Sequence, residues 1–113
     1  MDLTTDVQTT ERSATVTLLG DLDVAAVDTF RRVLDDLLRD GHVELVLDLN
    51  KLGFLDSSGL GALISARRRA YAAGGSLTLV CDDNQVLRVL EITNLDRVFQ
   101  IVPSRPGPDL GDR

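Results

Sequence analysis

Asp56-Ser57-Ser58-Gly59 sets a carboxylate, two hydroxyls and a residue without a side chain in consecutive positions, directly before an amphipathic segment. A serine hydroxyl there can serve as a nucleophile or as the acceptor of a phosphoryl group. The first amides of a helix have no intrahelical partner and the dipole is positive there, so a phosphate on or beside either serine is stabilised locally. Gly59 removes the side chain that would block close approach by a protein or a nucleotide. The same residue types also suit plain helix capping, in which Asp56, Ser57 or Ser58 satisfies a free amide and does nothing else. A second candidate is Gly20-Asp21-Leu22-Asp23, where a strand ends and two carboxylates precede a helix. Asp23 is again explained by capping alone. If the strand carrying it neighbours the one ending at Leu49, then Asp23, Asp56 and Ser57 share one acidic, hydroxyl-bearing edge.

Enzyme chemistry at these serines meets specific obstacles. Ser57 is not in a G-x-S-x-G elbow, and the single histidine, His42, follows a helix-terminating Gly41, at the opposite end of a strand from Ser57. A hydroxyl without a base is a poor nucleophile. No G-x-x-x-x-G-K-[ST] or G-x-G-x-x-G segment occurs, so no phosphate loop of the nucleotide-enzyme type is present. Asp21, Asp23 and Asp48 superficially match the acidic cluster of a receiver domain, but the only lysine is Lys51, and the late-strand lysine such a domain requires is missing. Cys81 and His42 are too few for a zinc site. Neither a cofactor nor a metal is expected, and the chain does not read as an enzyme.

The whole composition narrows the classes further. With 113 residues the chain fits one domain, and 43% hydrophobic with 27% charged residues is the balance of a soluble globular fold. A net charge of −6, no Trp and one Tyr disfavour direct nucleic-acid binding, which needs cationic surface and aromatic platforms. Residues 1 to 56 hold five basic and twelve acidic residues, against seven and six in residues 57 to 113. The acidity of the first half suits a partner that presents Arg or Lys, although ordinary solvated surface explains it equally. One cysteine excludes an intrachain disulfide, the start of the chain has neither a basic patch nor an apolar run, and no stretch approaches a membrane span. A cytoplasmic protein without membrane contact is expected.

The elements that must position the two motifs follow from periodicity. Thr4 to Thr9 reads as a weak edge strand, and Ala14 to Leu19 as a strand ended by Gly20. Val24, Val27, Phe30, Leu34, Leu37 and Leu38 recur at helical spacing, with Asp23 as N-cap and Gly41 as stop. Val43 to Leu49 alternates as a strand, Asn50 to Ser57 is a connection, and Gly59 to Ala73 is a helix with Leu60, Leu63, Ile64 and Tyr71 inward. Ser76 to Cys81 is another strand, Asp82 or Asp83 caps a short helix over Asn84 to Ile92, and Val98 to Val102 closes the pattern. Helices between successive strands make parallel crossovers, and alternation within the strands points to helices mainly on one face. The expected class is α/β, a small mixed sheet of four to five strands in one domain over residues 1–102. A flexible C-terminal tail over 103–113 carries all three prolines.

Phe54-Leu55-Asp56-Ser57-Ser58-Gly59-Leu60-Gly61, the upstream Gly20-Asp21-Leu22-Asp23 and the downstream Leu90-Glu91-Ile92-Thr93-Asn94-Leu95-Asp96-Arg97-Val98-Phe99 together resemble the STAS domain of bacterial anti-sigma factor antagonists. The resemblance covers residues 5 to 102. It implies that the unphosphorylated protein binds an anti-sigma factor that is also a serine protein kinase, with ATP or ADP bound to the kinase, and so frees a sigma factor. It implies phosphorylation of Ser57, release of the partner and restoration by a serine phosphatase, with Asp21, Asp23, Asp56, Ser58 and Gly59 forming the switch surface around the acceptor. A monomer or weak dimer is expected. Asp21 stands where Glu is frequent in the family, and Leu55 where Met is frequent; both changes are mild. The competing reading is a non-switching STAS interaction subunit of a lipid-transport ATPase, an anion transporter or another regulatory complex.

Overall fold

In a computed structural model of the chain, residues 1–104 are described. In chain order they form strands β1 (Thr4–Thr9) and β2 (Ser13–Leu22), helix α1 (Val27–Arg39), strands β3 (Glu44–Asp48) and β4 (Leu52–Leu55), helix α2 (Ser57–Ala72), strand β5 (Ser76–Val80), helix α3 (Gln85–Ile92), a 3₁₀ turn (Leu95–Arg97) and strand β6 (Gln100–Val102). The sheet runs β1-β2-β3-β5-β6, with β4 joined to the far end of β2. β1 is antiparallel to β2, and every other pairing is parallel. The class is therefore the expected mixed α/β fold, with six strands instead of four or five.

Alternation in the strands decides where the core lies. Ala14, Val16, Leu18 and Leu22 of β2, Leu45 and Leu47 of β3, and Leu77 and Leu79 of β5 are buried on one face, under Phe30 and Leu34 of α1, Leu63, Ala66 and Ala70 of α2, and Val86 and Leu90 of α3. Each fully buried Leu or Phe contributes roughly 1.5–3 kcal/mol of transfer free energy. The residues between them, Thr15, Thr17, Val46, Thr78 and Val80, lie on the other face and are half-buried or exposed. A sheet covered on one side explains why these strands alternate instead of reading as continuous apolar runs.

Four details differ from the sequence reading, each for a local reason. β2 does not stop at Gly20: the glycine takes φ +98° at a register shift, and the strand runs on to Leu22 with a new neighbour. The segment from Asn50 to Ser57 is not merely a connection, because Leu52–Leu55 pairs in parallel with that extension of β2. Asp23 caps a turn ahead of α1 and not the helix itself, its Oδ1 accepting from the Ala26 amide at 3.2 Å. The cap of α3 is Asn84, whose Oδ1 accepts from the amides of Val86 (2.9 Å) and Leu87 (3.1 Å), while Asp82 instead accepts from Asn50 and Ser104.

Helix α2 departs most from its apolar pattern. Its buried residues are Gly59, Leu63, Ala66 and Ala70, whereas Ile64 and Tyr71, expected inward, are 36% and 48% exposed and Leu60 is half-buried. Small inward residues let the helix backbone lie close to the sheet, and the bulky ones are left outside. α1 ends as expected at Gly41, which has φ +89° while the amides of Gly41 and His42 donate to the carbonyls of Leu38 and Leu37. The tail expected over 103–113 lies, from residue 105 onward, outside the described residues. Ser104 docks on Asp82 through its amide (2.9 Å) and hydroxyl (2.7 Å).

Candidate functional site

The parallel strands end along one edge of the sheet, and there the two sequence motifs meet. Leu22 of β2 is the register partner of Leu55 of β4, so the next residues, Asp23 and Asp56, leave the sheet side by side. Asp56 is the N-cap of α2: its backbone is extended, its Oδ1 accepts from the Gly59 amide at 2.9 Å, and its carbonyl accepts from Leu60 at 2.9 Å. The carboxylate thus satisfies one of the four free amides of the helix start and places charge against the positive end of the dipole.

Ser57 is the first residue of α2 and is exposed; Ser58 is half-buried and Gly59 buried. Gly59 faces the β2 bend so closely that a Cβ there would lie 2.2 Å from the Leu22 carbonyl oxygen and 2.7 Å from Leu55 Cδ1. No side chain fits between them. The serine turn is therefore seated on the residue that precedes Asp23; Asp23, Asp56, Ser57 and Ser58 lie together at the sheet edge, while Gly59, expected on the surface, is buried beneath them. Capping and exposure are met together: Asp56 does the capping, which leaves the Ser57 hydroxyl outside the helix-start hydrogen bonds among the described residues.

Asp21 sits differently. It lies on the pleat opposite buried Leu22, and its carboxylate pairs with the Met1 ammonium at 2.6 Å while its amide donates to the Met1 carbonyl at 3.1 Å. The hydrogen bond and charge of Asp21 raise the pKa of that ammonium above its ordinary value. Gly53 of β4 underlies Asp21, as a Cβ there would come within 3.4 Å of its Oδ1. Of the three carboxylates expected on the surface, that of Asp21 alone is in an ion pair among the described residues, while those of Asp23 and Asp56 accept from backbone amides.

The structure adds neighbours that residue types alone did not mark. Val24, which helical spacing assigns to the apolar stripe of α1, instead precedes the helix and is 73% exposed on the turn after Asp23, and Phe54 is 48% exposed just before the Leu55-Asp56 end of β4, so apolar groups flank the acidic turn on both sides. A shallow groove between α1 and α2 is lined by Val24, Val27, Arg31, Ser58, Gly61 and Ser65. Strand alternation would place Phe54 on the face of buried Leu52, so its exposure was not detectable from the sequence, and neither was the groove made by small residues on α2. His42 precedes β3 and so lies at the sheet edge opposite Ser57, and no cluster of three or more His, Cys, Asp or Glu side chains arranged for a metal occurs among the described residues. No helix among them is long and apolar enough to cross a membrane.

A six-stranded mixed sheet with three helices on one face and a capped serine turn at the strand ends is the architecture of a known domain class. Residues 4–106 match the STAS domain family, and the chain belongs to it. Its relatives include the anti-sigma-B factor antagonist of Bacillus subtilis (strain 168), 28% identical over 107 residues that span 95% of this chain and 97% of that one. The anti-sigma F factor antagonist of Paenibacillus polymyxa is 37% identical over 90 residues, covering 78% and 74% of the two chains. An anti-sigma factor antagonist from Mycobacterium paratuberculosis shares the fold with a TM-score of 0.80, at 24% identity over 91% of this chain and 87% of the other.

Proposed function

We propose that the protein is an anti-sigma factor antagonist working as a phosphorylation-controlled partner switch. Unmodified, it binds an anti-sigma factor that is also a serine kinase and so releases a sigma factor; phosphorylated at Ser57, it lets the kinase go until a phosphatase restores it. The observation that carries this reading is the exposed Ser57 hydroxyl at the first position of α2, beside the Asp56 cap and the Asp23 bend. The similarity to anti-sigma factor antagonists over nearly the whole chain supports the partner class.

Simple electrostatics makes the position effective. Phosphorylation adds about −1.5 to −2 charges at neutral pH. Two unit charges about 4 Å apart already repel by about 1 kcal/mol in water, and a partly dry interface strengthens this. Tenfold weaker binding needs only about 1.4 kcal/mol. In the free protein the α2 dipole tolerates the phosphate, so the modification unseats a partner without unfolding the domain.

The test has two arms. Incubation with the cognate kinase and ATP followed by phosphosite mapping is expected to find Ser57; modification at Ser58 alone would overturn the assignment. In binding assays Ser57→Ala is expected to keep the affinity of the unmodified protein and Ser57→Asp to lose about tenfold or more. Equal affinity for all three proteins would remove the switch.

A further inference from the structure

The outer face of α2 carries Ser57, Gly61, Ile64, Arg68 and Tyr71 in one line, at alternating steps of four and three residues. All five are exposed, and two of them are the bulky apolar groups that the helical pattern assigns to the interior. Tyr71 is held in place by the Arg67 guanidinium, 4.4 Å above its ring. The line also carries opposite charges at its two ends. At its start stand Asp23 and Asp56; at its far end stand Arg67 and Arg68, which form no ion pair among the described residues, whereas neighbouring Arg69 is tied to Asp35 on α1.

An apolar centre between a negative end and a positive end is complementary to its own reverse. We propose that this face docks against the same face of a second copy, the two α2 helices running antiparallel about a two-fold axis at Ile64. Ile64 then meets Ile64, and Arg68 lies opposite position 60 of the second copy, about one helical turn, or roughly 5 Å, from that copy's Asp56-Ser57 turn. An arginine side chain spans that distance. A parallel arrangement would instead stack Arg68 on Arg68, so charge fixes the direction. Gly61, next to the centre, has nothing within 4 Å of its Cβ position and lets the two backbones approach. The contact is isologous and therefore closes at two copies. A single-helix strip buries much less than the roughly 1,600 Å² of a standard stable interface, so the dimer is weak.

The dimer stands on the α2 face alone; its link to regulation rests on the function proposed above. A phosphate on Ser57 would face Arg68 of the second copy, so the modification that repels the kinase would also pair the modified chains and shield the phosphoserine.

Sedimentation of the full chain from micromolar to millimolar concentration tests this, with Ile64→Asp and Arg68→Glu compared and circular dichroism used to confirm that each folds. A concentration-dependent dimer is expected, weakened by about tenfold or more in each variant and by added salt. Phosphoserine installed at position 57 by genetic encoding, without any kinase, is expected to tighten the wild-type dimer by about tenfold and to have no such effect in Arg68→Glu. A chain that stays monomeric across the range, or a dimer indifferent to both variants, overturns the proposal. So does a monomeric wild type whose Arg68→Glu variant loses affinity for the anti-sigma factor, which would assign the face to that protein. A salt-sensitive dimer in a protein that no kinase modifies would uphold this inference and sink the proposed function.

Discussion

Ser57 is available because its neighbours take the structural work. Asp56 caps the helix and Gly59 takes the contact with the sheet, so the hydroxyl between them has no part in holding the fold. The contrast between Gly59 and Gly61 gives a sharp test. Gly59→Ala drives a methyl against a backbone carbonyl that cannot rotate away, and we expect it to destabilise the domain by about 1–3 kcal/mol and to displace the serine turn. Gly61→Ala, two residues on in the same helix and with open space at its Cβ, is expected to stabilise by about 0.5–1 kcal/mol through helix propensity. Denaturant midpoints of the two variants check both signs; similar midpoints would show that Gly59 is not tightly seated.

At the scale of elements, α3 depends on one side chain. Asn84 Oδ1 receives the Val86 and Leu87 amides and its Nδ2 donates to Asn50 at 3.2 Å, linking the start of α3 to the turn that leads into β4. Asn84→Ala is expected to cost about 1 kcal/mol, while Asn84→Asp, which keeps the acceptor, retains most of the capping. Amide hydrogen exchange over Gln85–Ile92 reads the difference; unchanged protection in Asn84→Ala would dismiss the cap. The long periodic elements were legible from sequence: α1, β3 and β5 stand within a few residues of their expected limits. Short or irregular ones were not. β4 has only four residues, with Gly53 and Phe54 outward together between buried Leu52 and Leu55, so it carries no period to detect. The inward face of α2 escaped because periodicity weighs bulk, while this core uses Gly59, Ala66 and Ala70.

For the whole molecule, a single layer of helices over a sheet leaves little redundancy in the core, and Cys81 reports on it. The thiol lies just beyond β5, 4% exposed, and burial is the main cause of a pKa raised above the ordinary thiol value, outweighing the Asn84 contact that lowers it. The folded state therefore keeps its proton to higher pH than the unfolded chain. The associated stability is complete below the unfolded thiol's pKa of roughly 8.5 and is lost as pH rises through the folded value. Cys81→Ser is expected to flatten this alkaline decline, measured as denaturant midpoint against pH between about 7 and 10; an identical slope would refute the linkage. Domain class was readable at this scale because three motifs in order carry more information than any one, and because parallel crossovers force their strand ends to one edge. The pairing of Asp23 with Asp56 was not readable in full, since it depends on β2 continuing past Gly20 to reach β4.

The absence of clearance between Gly59 and the Leu22 carbonyl makes the bend and the serine turn behave as a fixed template. Under the proposed function, an incoming protein has no loop to reshape before it fits, so encounter would proceed at the rate set by diffusion and charge. On that reading, a phosphate added at Ser57 would then act on a preformed surface, through repulsion at encounter and a shorter lifetime of the complex, without any rearrangement of the turn.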